Sequence, residues 1–148
     1  MFEPHATSKL QSIQDLDQLL TMGFRGEALA SISSVAQVTL ETKTKKDQHG
    51  GYQYIKEGQN SSEITKFPKS KSGTRITVKN IFFNVPARKK FLKTRGTELS
   101  HITKVIENTA LAAPHIRLDW YSENRLVSSY QATDAKDRLA QVFGLSEP

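Results

Sequence analysis

Apolar positions along the chain recur at two spacings, and each spacing predicts its own kind of element. From Ser12 onward, Ile13, Leu16, Leu19 and Leu20 follow at helical spacing. Ser12 with Asp15 resembles a capping box, in which a hydroxyl accepts from first-turn amides and an acid sits at the positive helix end. Gly23 supplies a left-handed stop. After the turn Gly23-Phe24-Arg25-Gly26, the residues Ala28, Leu29, Ile32, Val35 and Ala36 fall on one face. That pattern predicts a second helix of about ten residues, starting near Gly26 and packing against a sheet.

Two-residue alternation takes over at Val38 to Thr44, which is rich in β-branched residues. Gly50-Gly51 separates that run from Tyr52 to Ile55, as in a hairpin. Asn60-Ser61-Ser62 and Lys69 to Gly73 read as polar turns or loops. In Thr74 to Phe83, Ile76 and Val78 alternate with Arg75, Thr77 and Lys79, the pattern of a strand with one buried face. Pro86 forbids continuation in a central ladder. Phe82, Phe83, Phe91 and Leu92 are assigned to the core.

Thr97 then caps a helix carried by Leu99, Ile102, Val105, Ile106 and Ala110 and ended by Pro114. Ile116, Leu118 and Trp120 alternate toward a turn at Ser122-Glu123-Asn124, and Arg125 to Tyr130 returns as the second strand of a hairpin. A short helix over Asp134 to Phe143 carries Leu139, Val142 and Phe143 with little chain left to pack against. This predicts that a further domain follows.

Composition changes this picture in a few places. The chain has 148 residues, the size of one ordinary domain, with 36% hydrophobic and 24% charged residues. No apolar stretch is long enough for a membrane span, and the start shows no secretory pattern. The absence of cysteine excludes disulfides, thiolate catalysis and sulfur-bound metal. An intracellular protein is expected, cytoplasmic if bacterial and nuclear if eukaryotic, with no membrane partner. The net charge of +6 favours phosphate-bearing partners, although placement matters more than the total.

Three stretches could carry chemistry. Gly23-Phe24-Arg25-Gly26-Glu27-Ala28-Leu29 puts two glycines and a cation at the mouth of a helix, where the backbone can approach a phosphate and amides are unpaired. It lacks the Gly-Lys-Ser/Thr ending of a P-loop. His5-Ala6-Thr7-Ser8-Lys9 sets hydroxyls beside an ammonium, which suits an anion and equally an exposed cap. His5 has no second histidine at zinc-ligand spacing, so no metal ligand set is expected. Arg88, Lys89, Lys90, Lys93 and Arg95 form a dense basic run, either a solvated face or a contact to a phosphate backbone.

In this order the stretches resemble one family, the MutL proteins of DNA mismatch repair within the GHKL ATPase superfamily. His5 to Lys9 resembles its HATSK segment, Gly23 to Val35 its GFRGEALASISSV motif, and Gly73-Thr74 the GT of its fourth ATPase motif. Asn84 to Leu92 resembles its N-x-PARxKFL segment. The resemblance runs from His5 to about Tyr130.

The resemblance implies an α+β fold, a partial GHKL (Bergerat) ATPase sandwich with helices on one face of a mixed sheet, lacking its N-terminal helix and strands. Residues 1–131 would be the partial ATPase domain and 132–148 the truncated start of a transducer (ribosomal S5-like) domain. It implies ATP with Mg as cofactor. Thr7, Ser8 and Lys9 would sit by the nucleotide, Gly23, Phe24, Arg25, Gly26, Glu27, Ala28 and Leu29 would form the lid over the phosphates, and Thr74 would line the adenine side. Arg88, Lys89, Lys90, Lys93 and Arg95 would face DNA, with Lys93 the preferred single contact. Implied partners are non-specific DNA, a second copy or paralogue in a homodimer or heterodimer, a mismatch recognition protein, and a downstream nuclease or helicase.

The family hydrolyses ATP with a glutamate and a magnesium-binding asparagine ahead of HATSK, in E-x-x-x-N, and binds adenine through D-x-G-x-G. Neither motif occurs in these residues. The resemblance therefore assigns no catalytic residue here, and turnover and independent folding are expected to fail. Glu27 is not a substitute base, since it belongs to the lid helix. Two other readings compete: a basic nucleic-acid module that never uses ATP, and another GHKL member such as a type II topoisomerase subunit, a chaperone or a histidine kinase. The N-x-PARxKFL stretch argues against the second.

Overall fold

The computed structural model describes Phe2, Gly23 and residues 25–48, 50–58, 60–68 and 71–145. The helix expected after Ser12 lies outside the described residues. The chain forms two compact units, Met1–Phe91 and Leu92–Pro148.

The first unit begins with helix α1, Ala28–Val35, and continues through strands β1 (Gln37–Lys43), β2 (Gly51–Glu57), β3 (Asn60–Ser61), β4 (Thr65–Phe67) and β5 (Gly73–Lys79), ending in the one-turn helix α2, Pro86–Lys89. The sheet runs β3-β2-β1-β5, with β4 also on β2, and every ladder among the described residues is antiparallel. The β1–β2 hairpin agrees with the alternation read from the sequence. Its Gly50-Gly51 pair has a steric reason: a Cβ on Gly51 would stand 2.5 Å from the Thr42 carbonyl oxygen, and Gly50 sits at φ +110°.

Register explains where the core lies. Val38 stands opposite Lys56 and Val78, and Leu40 opposite Tyr54 and Ile76, so these residues share one face of the sheet. Helix α1 packs over β1 and β2 on that face. Phe2, Ala36 and Val38 form the buried cluster, with Leu29, Leu40 and Tyr54 against it, and the Phe2 and Tyr54 rings stack at 5.0 Å. The opposite face is polar, with Gln53 and Arg75 reaching Glu41.

Several expectations are corrected. The inward stripe of α1 is Leu29, Ser33 and Ala36; Ser33 is fully buried and Ile32 is exposed, and the Ser33 hydroxyl, bonded to the Ala30 carbonyl, needs no outside partner there. Asn60 and Ser61 pair with β2 instead of forming a loop, and β4 was not foreseen, being three residues long. Strand β5 ends at Lys79, because Asn80 and Phe82 take left-handed φ values of 51° and 61°. Its apolar face is on the correct side, yet Ile76 and Val78 are about half exposed, one strand beyond the reach of α1. Phe83, Phe91 and Leu92 are exposed rather than core, Phe91 at 79%. Phe82 is half-buried.

The second unit holds α3 (Arg95–Ala112), a hairpin of β6 (Leu118–Ser122) and β7 (Arg125–Tyr130), and α4 (Ala135–Phe143). The cap of α3 is Thr94, whose side chain accepts from the Thr97 amide, rather than Thr97 itself. Glu123 and Asn124 both take positive φ, the two-residue turn whose twist matches a hairpin. Asp134 caps α4, and Gly144 ends it at φ 64°.

One buried charge organises this unit, and periodicity gave no sign of it. Arg138 on α4 is fully buried. Its guanidinium donates to the carbonyls of Ala110, Pro114, Ile116 and Gln131 at 2.6 to 2.8 Å and lies 5.8 Å from the centre of the Tyr130 ring. Ala110 belongs to the last turn of α3, where carbonyls lack helical partners and the dipole favours a cation.

Candidate functional site

The mouth of α1 is built from a short sequence. Gly26 takes φ 67°, a left-handed turn that an L side chain would resist. Glu27 follows as the N-cap, already near helical geometry, and its side chain makes no capping hydrogen bond. The ladder then begins with the Ser31 amide donating to the Glu27 carbonyl at 2.9 Å. The helix entrance therefore keeps first-turn amides that Glu27 does not close, the arrangement that accepts an anion. Gly23 and Arg25 are exposed just before it, and a Cβ on Gly23 would meet nothing within 4 Å. Ala28 is exposed while Leu29 turns inward to the core. Thr7, Ser8, Lys9 and Phe24 lie outside the described residues, as does His5.

Thr74 sits opposite Thr42, on the same face of the sheet that α1 covers, and the two hydroxyls lie 2.9 Å apart. The structure therefore brings Thr74 and the α1 segment to one side of the sheet, with Thr74 exposed toward its β1–β2 hairpin end.

At the other end of α1 lies an arrangement that sequence reasoning missed. Its last carbonyls are taken up by residues distant in sequence. The Gly58 amide donates to the Ser33 oxygen at 3.0 Å, and the Phe82 amide to the Val35 oxygen at 2.6 Å. Asn84 Nδ2 donates to the Ser34 oxygen at 2.8 Å. Asn84 opens the N-x-P-A-R stretch; an asparagine two residues before a helix-starting proline was the available signal.

The basic run leads away from that asparagine. Arg88 and Lys89 occupy α2, Pro86 starts it, and Lys90 is its C-cap. All three side chains are exposed, as are Lys93 and Arg95. The run crosses between the two units after Phe91. Arg95 pairs with Glu123, both ends exposed, which leaves that guanidinium less available to another anion. Lys93 donates its backbone amide to Glu98 Oε1 at 2.8 Å, leaving that bond independent of its ammonium.

The carboxyls held below the usual range lie elsewhere. The Thr44 hydroxyl and amide stabilise the Asp47 carboxylate in the β1–β2 turn, and the Ser129 hydroxyl does so for Asp119. Among the described residues no group of histidine, cysteine, aspartate or glutamate could hold a metal, and no helix is long and apolar enough to cross a membrane.

No protein-family model matches the chain. Curated relatives match it closely. It is 46% identical over 145 residues to the DNA mismatch repair protein MutL of Porphyromonas gingivalis, covering 97% of this chain and 23% of that protein. It is 42% identical over 143 residues to MutL of Chloroherpeton thalassium, covering 97% of this chain and 22% of that one. The chain thus spans about a quarter of the length of the curated relatives it matches. Among solved structures, the Aquifex aeolicus MutL ATPase domain complexed with ADP superposes with a TM-score of 0.74 at 28% identity, over 90% of this chain and 52% of that one. A second structure of the Aquifex aeolicus MutL ATPase domain gives 0.67 at 27% identity, over 90% and 49%. The fold is therefore that of about half a GHKL-type MutL ATPase domain, and the order of the sequence motifs, the identity along nearly the whole chain and the shared fold agree that it belongs to the MutL family of DNA mismatch repair proteins.

Proposed function

We propose that the chain forms the phosphate side of an ATP site, within a repair protein that uses ATP with Mg to close a dimer and to couple mismatch recognition to downstream repair. The carrying observation is the entrance of α1, where Gly26 turns the backbone at φ 67° and the Glu27 side chain makes no capping hydrogen bond. Support comes from the ADP held by the Aquifex aeolicus neighbour. In this reading Gly23 to Leu29 is the lid. Its amides meet the phosphate oxygens, Arg25 adds charge, and Glu27 stays a first-turn acid rather than a base. Thr7, Ser8 and Lys9 approach the nucleotide and Thr74 the adenine side. Magnesium would neutralise the phosphates when bound.

Turnover needs a base within hydrogen-bond reach of the attacking water. The family's E-x-x-x-N supplies it and the metal-binding asparagine, and these 148 residues contain no such motif. The 148-residue polypeptide by itself is therefore proposed to be inactive. Residues 1–131 would be the ATPase portion and 132–148 the lead into a transducer domain. The partners would be a second copy or paralogue, a mismatch recognition protein and a nuclease or helicase, within the cytoplasm or the nucleus. Arg88, Lys89, Lys90, Lys93 and Arg95 would contact the DNA backbone, with Lys93 weighted above Arg95 because Arg95 already pairs with Glu123.

Two measurements in the full-length protein test this. Gly26→Val places a β-branched residue at positive φ and should weaken ATP binding at least tenfold; unchanged affinity would contradict the lid. Reversing Lys89, Lys90 and Lys93 to Glu should weaken DNA binding at low salt and flatten the salt dependence by roughly three units, at about 0.9 per phosphate contact. Unchanged DNA affinity would remove the basic run from the interface.

A further inference from the structure

Helix α1 carries the proposed phosphate contact at one end and at the other is bonded to the turn that leads into the basic segment. Its N-terminal turn carries Gly26 and Glu27. Its C-terminal carbonyls, from Ser33, Ser34 and Val35, are bound by Gly58, Asn84 and Phe82. Two of those donors lie in the turn 81–84, which leads through Val85 directly into α2 and its Arg88 and Lys89.

That turn has little freedom of its own. Phe82 sits at φ 61°, a conformation that a bulky side chain holds only when the surroundings fix it, and Asn80, of a residue type that tolerates this region, at φ 51°. The fixing contacts are the two bonds to α1, the Phe83 amide to the Asn80 carbonyl, and the bond from Asn80 Nδ2 to Gln37 Oε1 at 2.5 Å on the strand that follows α1. Gly58 closes the arrangement from the other side. It stands at φ 57°, and a Cβ there would come 3.3 Å from Asn84 Nδ2 and 3.7 Å from the Phe83 ring.

We infer that Asn84 is a positioning residue that couples nucleotide at the lid to DNA at the basic segment, by tying the C-terminus of the lid helix to the turn that aims α2. The inference rests on the ATP and DNA reading above. When phosphates order the α1 entrance, the helix and its C-terminal carbonyls are held in one place. The Asn84 side chain and the Phe82 amide pass that restriction to Arg88, Lys89 and Lys90. Those side chains then lose less freedom on meeting phosphates, and DNA binds more tightly with nucleotide present. The coupling is reciprocal, so DNA tightens nucleotide by the same factor. Asn84 is suited to this because its Nδ2 donates without adding charge, whereas aspartate would present an acceptor to the Ser34 oxygen.

The test measures DNA affinity in the full-length protein, by fluorescence anisotropy at one fixed salt, with and without a non-hydrolysable ATP analogue and magnesium. Asn84→Ala, Asn84→Asp and Gly58→Ala are compared with the unaltered protein. The expected result is tightening of fivefold or more in the unaltered protein, reduced to under twofold in each variant, with nucleotide-free DNA affinity held within twofold. Amide exchange of Gly58 and Phe82 should slow when the analogue binds, and that slowing should vanish in Asn84→Asp. The inference is overturned if the variants keep the full tightening, or if they lose DNA affinity equally with and without nucleotide, as a fold defect would. It is overturned too if the unaltered protein binds both ligands with no tightening, and in that case the ATP and DNA assignments stand. Failure of the unaltered protein to bind the analogue at all would instead remove the underlying functional reading and this inference with it.

Discussion

Arg138 is buried among four carbonyl oxygens and beside the Tyr130 ring, so peptide dipoles and the ring face balance its charge. Removing it strands acceptors at the end of α3 and in the turn before β6, and each buried acceptor left unpaired costs about 1–3 kcal/mol. Arg138→Ala should therefore destabilise the second unit by about 3 kcal/mol or more. Arg138→Lys should recover only part, since an ammonium lacks the planar fork. In the full-length protein, amide exchange across β6 and β7 reads the stability of this unit. A loss below about 1 kcal/mol for the alanine variant would contradict the role given to the dipoles. A second residue-level prediction concerns Asp47. Its folded pKa is lowered by the Thr44 hydroxyl first and the Thr44 amide second. The turn is thus favoured above the unfolded carboxylate pKa and loses that support as pH falls through the lower, folded value. Thr44→Ala removes the larger cause, so the Asp47 titration followed by NMR should move up toward 3.8, its ordinary value. No movement would show that the hydroxyl is not the cause.

Elements follow the sequence where a local rule and the burial agree. The β1–β2 ladder and the β6–β7 hairpin were legible because alternation and turn residues both specify them. Gly51→Ala should strain the first of these, since its methyl would stand 2.5 Å from the Thr42 oxygen. Amide exchange across β1 and β2 should quicken, and an unchanged pattern would mean the strands part without cost. Helix α1 was legible in extent but its inward stripe was shifted by one residue. Hydrophobicity favours Ile32, whereas the tertiary contacts bury Ser33, whose hydroxyl is satisfied within the helix. Strands β3 and β4 escaped because two or three residues cannot display a period. The phenylalanines at 83 and 91 were assigned inward on hydrophobicity alone, and their exposure reflects the turn at Asn80 to Phe82, which carries the chain off the sheet. Of the candidate site, the glycines at the α1 mouth and the basic run were visible as spacing and charge. The binding of the α1 C-terminus by Gly58, Phe82 and Asn84 was not, because it joins residues more than twenty apart.

Across the molecule, large apolar side chains remain open to solvent, among them Ile64 at 70%, Phe91 at 79% and Val105 at 62%. Apolar side chains left this open to solvent favour dye binding and association. The 148-residue polypeptide alone should therefore bind a hydrophobic dye and self-associate, and a sharp thermal transition from a dye-free monomer would contradict this. The functional reading rests on the α1 entrance, and hydrogen exchange there is decisive. In the full-length protein, saturating ATP with magnesium should slow exchange at the amides of Gly26 to Leu29, while the β6–β7 hairpin stays as it was. If those amides exchange equally fast with and without ATP, the entrance of α1 does not hold the phosphates.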